Sequence, residues 1–398
     1  MTIEEDNAAE RKTKNFCGLI FYGTEYRIEK RYQGLRCCSD RDTAKVQQEF
    51  LSGNRPDGCN WCWNAEAQGK ESFRQLSNRT LDHLLDKSLI NIRQSCEEQK
   101  NKIVSYKIET GNLCNATCVT CGSRFSSAWG ALERKNGLEP FPQRRVLIDD
   151  TGMRFDKKTF DEYDELFSIN YKTAKFINFL GGETTLEKAN FEILQRLIDA
   201  GNTDCNISFT THGNFNLSVA QESIVAKFPN LQFNFSIDGV DKVFQYLRYP
   251  MSWEKCLTNL QYCKDNNIGV SASAVLSNVN ILYFDSLIEW FNKNQILHHV
   301  NYAVNHQHGQ KHALFSSNTL SSRVKSLIID RNPSDFVKNI LSRHSQADED
   351  RYQLFLQDIV EKDRWKGISI NDYLPEFAEI IQEDLGFKDD CESIPGPG

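Results

Sequence analysis

The chain has 398 residues, 39% of them hydrophobic and 25% charged, which is the balance of a globular protein of two or three domains. A formal net charge of −7 argues against a nucleic-acid-binding surface spread over the molecule. The acidic N-terminus lacks the basic and apolar segments of a signal peptide, and no apolar run approaches the length of a membrane span. We therefore expect a cytoplasmic protein with no membrane partner.

The sequence contains 13 cysteines, which is many for a chain of this length. In a reducing compartment, cysteines point to metal binding, iron–sulfur clusters or catalysis rather than to disulfides. The odd count also fits a disulfide framework poorly. Cysteine spacing is therefore the pattern that says most about function.

The N-terminal part of the chain divides into a tail and a cysteine-rich region. We interpret residues 1–15 as a disordered tail and residues 16–100 as a region of its own. Within it, residues 22–32 predict an extended pair or a hairpin and residues 43–51 predict a polar helix. An apolar stripe over residues 78–100 predicts an amphipathic helix.

Five cysteines of this region suit a closed metal site. Cys59 and Cys62 are separated by two residues, a gap that lets both thiolates face one metal centre. With Cys17 and either Cys37 or Cys38, four ligands are available. The spacing does not decide between zinc and an iron–sulfur cluster.

Residues 101–310 alternate strands and helices. The predicted strands are 102–109, 176–180, 206–211, 231–237, 269–275 and 298–304. The predicted helices between the later strands are 189–200, 219–228, 253–266 and 284–294. Strands separated by helices indicate parallel βαβ units. Six such units predict an α/β fold, a partial (β/α)6 TIM-like barrel, with a doubly wound sheet as the alternative.

The stretch from residue 114 to 121 follows the first of these strands and holds three cysteines, with three residues and then two between them: Cys114, Cys118 and Cys121. Three thiolates on one loop can hold three corners of a cubane 4Fe–4S cluster, which normally takes four cysteine ligands. A local set of three suggests one iron left open for a substrate or cofactor, as in open catalytic metal sites. The alternative is three quarters of a zinc site, completed by a distant His or Cys.

Polar or glycine-rich residues also follow the other strands, where the chemistry of parallel α/β folds lies. They are found at 181–184, 211–214, 236–239, 277–278 and 305–308. Glu183 could take an ammonium group and Arg248 a carboxylate, which together suit a zwitterionic amino acid. We interpret His212, His306 and His308 as structural or merely polar, and the argument rests on the shared location of the set.

The C-terminal residues 311–398 lose the alternation. Four helices are predicted there, at 320–330, 336–341, 351–360 and 374–385, and form a helical extension whose end at 394–398 is disordered. Five further cysteines lack metal-like spacing and are interpreted as buried or incidental thiols: Cys96, Cys205, Cys256, Cys263 and Cys391.

Together these residues resemble the radical S-adenosylmethionine (SAM) enzymes over roughly residues 103–305. The three-cysteine spacing of that family is matched by Cys114, Cys118 and Cys121. Its Gly-Gly-Glu element is matched by Gly181, Gly182 and Glu183. Two positions differ from the common pattern, because Thr120 stands where many members have an aromatic residue that packs on the adenine, and Thr184 stands where proline is common.

The resemblance implies a set of cofactor contacts. The open iron would bind the amino and carboxylate groups of SAM, and the glycine-rich segment with Glu183 would meet the methionyl amino group. Ser236 and Arg248 would meet the ribose or carboxylate, and the segment ending at Asn278 would meet the adenosine. The resemblance also implies an electron donor such as flavodoxin or ferredoxin.

The N-terminal cysteines resemble those of radical enzymes with a Twitch domain, the short relative of the SPASM domain. The similarity extends along the run Cys59, Cys62, Glu66, Gly69, Ser72 and Arg74. A Twitch domain carries one auxiliary 4Fe–4S cluster and usually follows the barrel, whereas these candidate ligands precede it.

The sequence thus predicts an enzyme in which the cluster cleaves SAM to a 5′-deoxyadenosyl radical, which takes hydrogen from a peptide or a small metabolite. One alternative is a zinc-binding structural or nucleic-acid module, against which the acidic charge and the βα alternation speak. Another is an iron–sulfur redox protein without radical chemistry, against which the Gly-Gly-Glu element and the polar strand ends speak.

Overall fold

The computed structural model describes residues 13–27, 43–69, 71–100, 102–140, 160–161, 168–303, 314–342 and 349–384. Several predicted features fall outside these described residues. They are most of the tail, Cys37, Cys38, the residues 305–308 and the C-terminal end with Cys391.

Within the described residues, the sheet contains seven strands in chain order. They are β1 (Gly23–Arg27), β2 (Ser105–Glu109), β3 (Phe176–Leu180), β4 (Asn206–Thr211), β5 (Leu231–Ser236), β6 (Gly269–Leu276) and β7 (Leu297–Tyr302). The pairs β1–β2, β2–β3, β3–β4 and β6–β7 are parallel. The predicted α/β class and the six strands of the main region are confirmed as β2–β7, in the order of a partial TIM-like barrel.

β1 is a seventh strand that the sequence did not assign to the sheet. The prediction was an extended pair or hairpin over 22–32, but the described part of that stretch pairs with β2, Gly23 opposite Ser105. A parallel partner distant in sequence leaves no local signal, because only the turn of a hairpin is visible in neighbouring residues.

The described helices are α1 (Leu19–Tyr22), α2 (Thr43–Leu51), α3 (Asn60–Ala67), α4 (Phe73–Leu85), α5 (Leu89–Glu97), α6 (Ser127–Lys135), α7 (Lys188–Asp199), α8 (Val219–Val225), α9 (Asp241–Leu247), α10 (Trp253–Asp265), α11 (Phe284–Lys293), α12 (Ser322–Asp330), α13 (Asp335–Ser342), α14 (Glu349–Lys366), α15 (Ile370–Tyr373) and α16 (Pro375–Ile381). Short 3-10 helices lie at Asp57–Cys59, Ile281–Tyr283 and Ser317–Thr319. No helix in the described ranges is long and apolar enough to cross a membrane.

The helix predicted over 78–100 is in fact two helices, α4 and α5. Asp86 ends α4 in the left-handed conformation, with a φ of 49°. The side chain of Ser88 then accepts a hydrogen bond from the backbone N–H of Asn91 and caps the start of α5. A left-handed residue marks the end of a helix, and a serine cap marks the start of the next one. The continuous apolar stripe favours a single helix and hides these two signals.

The chain divides into two compact units. The first comprises Met1–Asn112, Arg144–Thr210 and Asn216–Gln232, and the second comprises Leu113–Gln143, Thr211–Phe215 and Phe233–Gly398. Each unit is described by itself.

In the first unit, alternate residues of β2 and β3 are buried, as the period of two in a strand requires. Phe179 of β3 packs on Phe209 of β4, with ring centroids 4.8 Å apart, and Phe191 of α7 packs on the same Phe209 at 5.6 Å. A separate apolar core holds the N-terminal helices together and includes Phe16, Phe50 and other buried residues.

In the second unit, aromatic residues join the helices that follow β5 and β6. Trp253 of α10 lies between Phe244 of α9 and Trp290 of α11, at centroid distances of 5.2 and 5.0 Å. The predicted helical extension is confirmed as α12 to α16. It packs through Tyr352 and Phe355 of α14, both fully buried.

Candidate functional site

Backbone hydrogen bonds from the segment after α9 position the three-cysteine loop, which belongs to the second unit. The backbone N–H of Thr117 donates to the carbonyl of Tyr249 at 2.6 Å, and the Thr117 hydroxyl donates to the same oxygen at 3.2 Å. The N–H of Val119 donates to the carbonyl of Leu247 at 2.9 Å. The path of the loop is therefore fixed by contacts other than those of its own thiols.

The first turn of α6 supports the loop from the other end. The hydroxyl of Ser127 lies 3.0 Å from both the N–H and the carbonyl oxygen of Cys114. The indole N–H of Trp129 donates to the carbonyl of Cys118 at 2.9 Å. Trp129 is 1% exposed, so this hydrogen bond is shielded from water.

Two of the three thiols lie in strongly desolvated surroundings. Burial raises the pKa of the Cys121 thiol to about 12, with the neighbouring Cys118 as a second cause. Burial also raises the pKa of Cys118, against the opposing charge of Arg248. Metal ligation must therefore displace these protons. None of the described cysteines forms a disulfide.

Arg248 lies beside the cysteine loop. Its Nη2 pairs with Oδ2 of Asp238 at 2.6 Å, and its Nη1 is 3.8 Å from the sulfur of Cys118. The backbone N–H of Val275 donates to the other oxygen of Asp238 at 2.8 Å, which fixes the carboxylate. Burial opposes the charge of Arg248, but Asp238 and the thiol hold the pKa of the guanidinium above its usual value.

His212 orients Asn115 in the middle of the loop. The backbone N–H of Asn214 donates to Nδ1 of His212 at 3.0 Å, so the ring proton lies on Nε2. That nitrogen donates to Oδ1 of Asn115 at 2.9 Å. These contacts match the structural role that the sequence suggested for this histidine.

Ser236 and Asn278, the other predicted cofactor contacts of the second unit, differ in exposure. Ser236 ends β5 and is partly exposed, on the same strand face as Asn234. Asn278 is fully buried, and its amide donates to the carbonyl of Leu314 at 2.7 Å. Asn278 therefore ties the end of β6 to the segment that begins at residue 314.

The Gly-Gly-Glu element belongs to the first unit and is held tightly. Gly181 has a φ of +118°, and a Cβ there would lie 2.4 Å from the carbonyl oxygen of Gly111. The N–H of Gly182 donates to that same oxygen at 3.2 Å. The Glu183 carboxylate is buried and accepts a hydrogen bond from the Thr185 hydroxyl at 2.7 Å.

Thr184 joins the ends of two neighbouring strands. Its hydroxyl donates to the carbonyl of Thr210 at 2.8 Å and so ties the turn after β3 to the end of β4. The amide of Asn190 donates to the carbonyl of Thr184 at 2.8 Å. Proline at this position would supply no such donor.

Alanine at position 181 is expected to lower the free energy of unfolding by about 2 kcal/mol, because it combines an unfavourable φ with a close contact to backbone. Gly201→Ala is a matched control, since Gly201 has a φ of +73° but no heavy atom within 4 Å of an added Cβ. We expect about 1 kcal/mol there, and urea unfolding measures both losses. Equal losses in the two variants would show that the contact between a Cβ at position 181 and the carbonyl oxygen of Gly111 has no effect on stability.

Two lysines of α14 lie over the indole ring of Trp129. Lys362 Nζ is 5.4 Å and Lys366 Nζ 4.9 Å from the ring centroid. Lys362 also pairs with Asp358 at 2.6 Å. Burial lowers the pKa of Lys366 to about 8, with repulsion from Lys362 as a second cause. Neither lysine stands out in the sequence, because a lysine pair one helical turn apart is ordinary on a solvated helix face.

Asp363 connects α14 to α9. The hydroxyl of Tyr246 donates to one oxygen of Asp363 at 3.0 Å, and the backbone N–H of Ile370 donates to the other at 2.7 Å. Burial raises the pKa of Asp363 to about 6.

Asp363 should make the metal-free protein less stable as the pH rises from 4 to 6. Its carboxyl has a pKa of about 6 when folded and about 3.9 when unfolded, so in this window only the folded state keeps the proton. The loss attributable to Asp363 is about 3 kcal/mol and is complete above pH 6. Urea unfolding of the wild type and of Asp363→Asn at several pH values isolates it. A difference between the two that is independent of pH would contradict the assignment.

The cysteines predicted as an auxiliary site lie in the first unit. Cys59 immediately precedes α3, which contains Cys62. The backbone beside Cys17 is fixed by Arg74, which donates to the carbonyl of Phe16 at 2.7 Å. Among the described residues, no group of three or more His, Cys, Asp or Glu is arranged to hold a metal ion. Cys37 and Cys38, the candidate fourth ligands, lie outside those residues.

Glu66 and Arg74, which belong to the Twitch-like run, have a structural role. Arg74 pairs with Glu66 at 2.8 Å, and the hydroxyl of Ser72 donates to Glu66 at 2.6 Å. The Arg74 guanidinium also lies 4.8 Å from the centre of the Trp63 ring. This buried network holds α3 against α4.

The surroundings of Cys118 and Cys121 fit an anionic metal cluster. Three cations act on these thiols: Arg248, Lys362 and Lys366. Neutral thiols give no reason to gather cations in a desolvated place, whereas thiolates that ligate iron are negatively charged. The donor types and their charge environment thus agree with an iron–sulfur site on this loop, although Cys114, Cys118 and Cys121 are not arranged in this structure as a group that holds a metal ion.

No protein-family model matches the chain, and no curated protein matches it. Among solved structures, it is similar to native anSMEcpe with bound AdoMet, at 13% identity and a TM-score of 0.38, over 58% of this chain and 62% of that chain. It is similar to Streptococcus suis SuiB bound to S-adenosylmethionine, at 12% identity and a TM-score of 0.40, over 76% of this chain and 61% of that chain. For SuiB bound to the precursor peptide SuiA, the identity is 11% and the TM-score 0.36, over 77% and 65% of the two chains.

This chain therefore spans less than two thirds of the length of each of these solved proteins. Because similarity this low leaves function open, we take the function from this chain's own residues.

Proposed function

We propose that this chain is a radical SAM enzyme whose 4Fe–4S cluster is held by Cys114, Cys118 and Cys121. When bound, the cluster would supply the electron that cleaves SAM to methionine and a 5′-deoxyadenosyl radical. The observation that carries the proposal is the three-cysteine loop itself, fixed by its backbone and surrounded by cations at Cys118 and Cys121.

The chain's own residues would bind and shield the reactants. Arg248 is the proposed partner of the SAM ribose or carboxylate, and Asp238 keeps its guanidinium in place at 2.6 Å. Glu183, fixed by Thr185, is the proposed partner of the methionyl amino group, with Gly181 and Gly182 allowing the backbone to approach it. Ser236 and Asn278 complete the proposed set. The buried middle of the loop, residues 116–119, would help to exclude water from a radical reaction, which stray hydrogen donors would quench.

The auxiliary cluster belongs to this proposal too. Cys17, Cys59 and Cys62, with Cys37 or Cys38, would hold a second 4Fe–4S cluster that binds substrate or accepts an electron from it. Cys17 and Cys59 are partly buried against the N-terminal apolar core, and this packing would hold two such ligands in place. The substrate is a peptide or a small metabolite, and the reductant is a flavodoxin- or ferredoxin-type donor.

The test is made on anaerobically reconstituted protein. Iron, sulfide and zinc are counted per chain, and dithionite and SAM are then added to look for 5′-deoxyadenosine. Iron for two cubane clusters with deoxyadenosine formed is the expected result. Iron for one cluster with turnover would leave the radical function intact and remove the auxiliary cluster. Zinc alone, with no cleavage of SAM, would overturn the proposal in favour of a zinc module.

The same assay separates the redox-carrier alternative. An electron carrier would hold iron and cycle between oxidation states, but it would not cleave SAM. Full iron content with no deoxyadenosine, at saturating SAM and dithionite, would therefore favour that class.

A further inference from the structure

The ammonium group of Lys366 is buried at the end of α14 and lacks a hydrogen-bond partner among the described residues. Lys362, one helical turn earlier, does have a partner, because Asp358 lies 2.6 Å from its ammonium group. Asp363 accepts hydrogen bonds from Tyr246 and Ile370 on its two oxygens. Lys366 is thus a buried positive charge for which these nearby carboxylates supply no direct partner.

Such a charge is costly unless something compensates it. Desolvation of an ion is costly, and the Trp129 ring, 4.9 Å away, offsets only part of that cost. The charges of Asp363 and Asp358 also act on Lys366, but both carboxylates have other direct partners. The cysteine loop is a further neighbour, since the same Trp129 donates its indole N–H to the carbonyl of Cys118. Lys366 and Cys118 are close enough for the charge of each to shift the pKa of the other.

We propose that Lys366 is a positioning residue whose ammonium supplies the counter-charge of the cluster on Cys114, Cys118 and Cys121, and thereby raises the reduction potential of that cluster. The inference rests on the proposed function. One electron passes from a low-potential donor protein to the cluster, and no bond is made or broken in that step. Reduction adds one negative charge, so a fixed cation nearby stabilises the reduced state more than the oxidised state.

Arg248 does not supply this effect to the same degree. Its guanidinium is 3.8 Å from the sulfur of Cys118, but it is already neutralised by Asp238 at 2.6 Å. Lys362 and Asp358 likewise form a pair with no net charge. Among the described cations that act on Cys118, Lys366 is the one without such a paired carboxylate.

The test measures the midpoint potential of the reconstituted cluster in a redox titration without SAM. Electron paramagnetic resonance monitors the reduced cluster during the titration. We expect a more negative midpoint in Lys366→Met, which keeps the length of the side chain and removes its charge. Lys366→Arg should stay close to the wild type. Lys325→Met is the matched control, because it removes a buried lysine charge of α12 that is not among the cations acting on Cys118 or Cys121, and it should leave the midpoint unchanged.

A second measurement keeps the test valid if Lys366→Met binds the cluster poorly. In the metal-free protein, Lys366→Met should unfold at the same temperature as the wild type or a higher one, because an uncompensated buried charge has been removed. A lower unfolding temperature would mark Lys366 as structural and overturn the inference. Lys366→Gln provides the same comparison with a polar side chain.

The outcomes distinguish the inference from the function beneath it. A wild-type protein that binds no iron–sulfur cluster would overturn the proposed function, and the inference with it. If the wild-type and Lys366→Met clusters have the same midpoint potential at equal iron content, the inference is wrong and the proposed function stands. A more negative midpoint in the control than in Lys366→Met would also overturn it.

Discussion

Cys118→Ala should reduce the formation of 5′-deoxyadenosine from SAM to background. Cys118 is 7% exposed and lies between the other two ligands in sequence, so the loop would keep only two thiolates for a cubane cluster. Loss of a residue that merely supports a ligand costs 10- to 100-fold in metal affinity or activity, so loss of the ligand itself should exceed about 100-fold. Iron per chain and deoxyadenosine are measured on the same anaerobic samples.

Cys263→Ala is the control for this substitution. Cys263 is a fully buried thiol on α10 without metal-like spacing to other cysteines, and it acts as a small apolar side chain. The control should keep its iron and its turnover, apart from a modest loss of stability. Undiminished deoxyadenosine in Cys118→Ala would contradict the proposed cluster site, because the thiolate there would then be dispensable.

Local patterns were enough to predict the strands of the main region. β3 to β6 are short apolar or alternating runs that the following helices separate, and each lies within a few residues of the predicted range. The prediction was wrong where the deciding partner is distant in sequence. β1 joins the sheet through pairing with β2, some 80 residues later, and such pairing has no local signature.

A short helix was missed for a different reason. α9 spans only Asp241–Leu247, and the prediction gave one helix between β5 and β6, from residue 253. A helix of two turns gives a weak periodic signal, and Pro250 separates it from α10. The omission matters, because the carbonyls of Leu247 and Tyr249 at its end are the acceptors that position the cysteine loop.

The sequence proposes ligands for the candidate site but says little about their surroundings. The spacing of the cysteines and the Gly-Gly-Glu run are visible in the sequence, because their chemistry requires particular residue types at particular intervals. Trp129 and Lys366 carry no such signal, because their role comes from how α14 packs on α6. Packing partners of this kind are set by tertiary structure, which a single sequence does not reveal.

Arg248→Met is expected to lower the free energy of unfolding of the metal-free protein by about 4 kcal/mol. Asp238 is 4% exposed, and the substitution would leave its carboxylate buried without the cation that now lies 2.6 Å away. The N–H of Val275 would remain its donor, which compensates a full charge only in part. Urea unfolding measures the loss, and an unchanged stability would show that the pair contributes little.

Asp238→Asn in the Arg248→Met background separates stability from cofactor binding. An asparagine can still accept the hydrogen bond of Val275 and carries no charge, so most of the lost free energy should return. SAM affinity should not return with it, because Arg248 is the proposed partner of the SAM ribose or carboxylate. Calorimetric titration of SAM into the reconstituted double variant tests this. Wild-type affinity in a stable double variant would mean that Arg248 serves the fold alone, and that the carboxylate of SAM is bound by other residues.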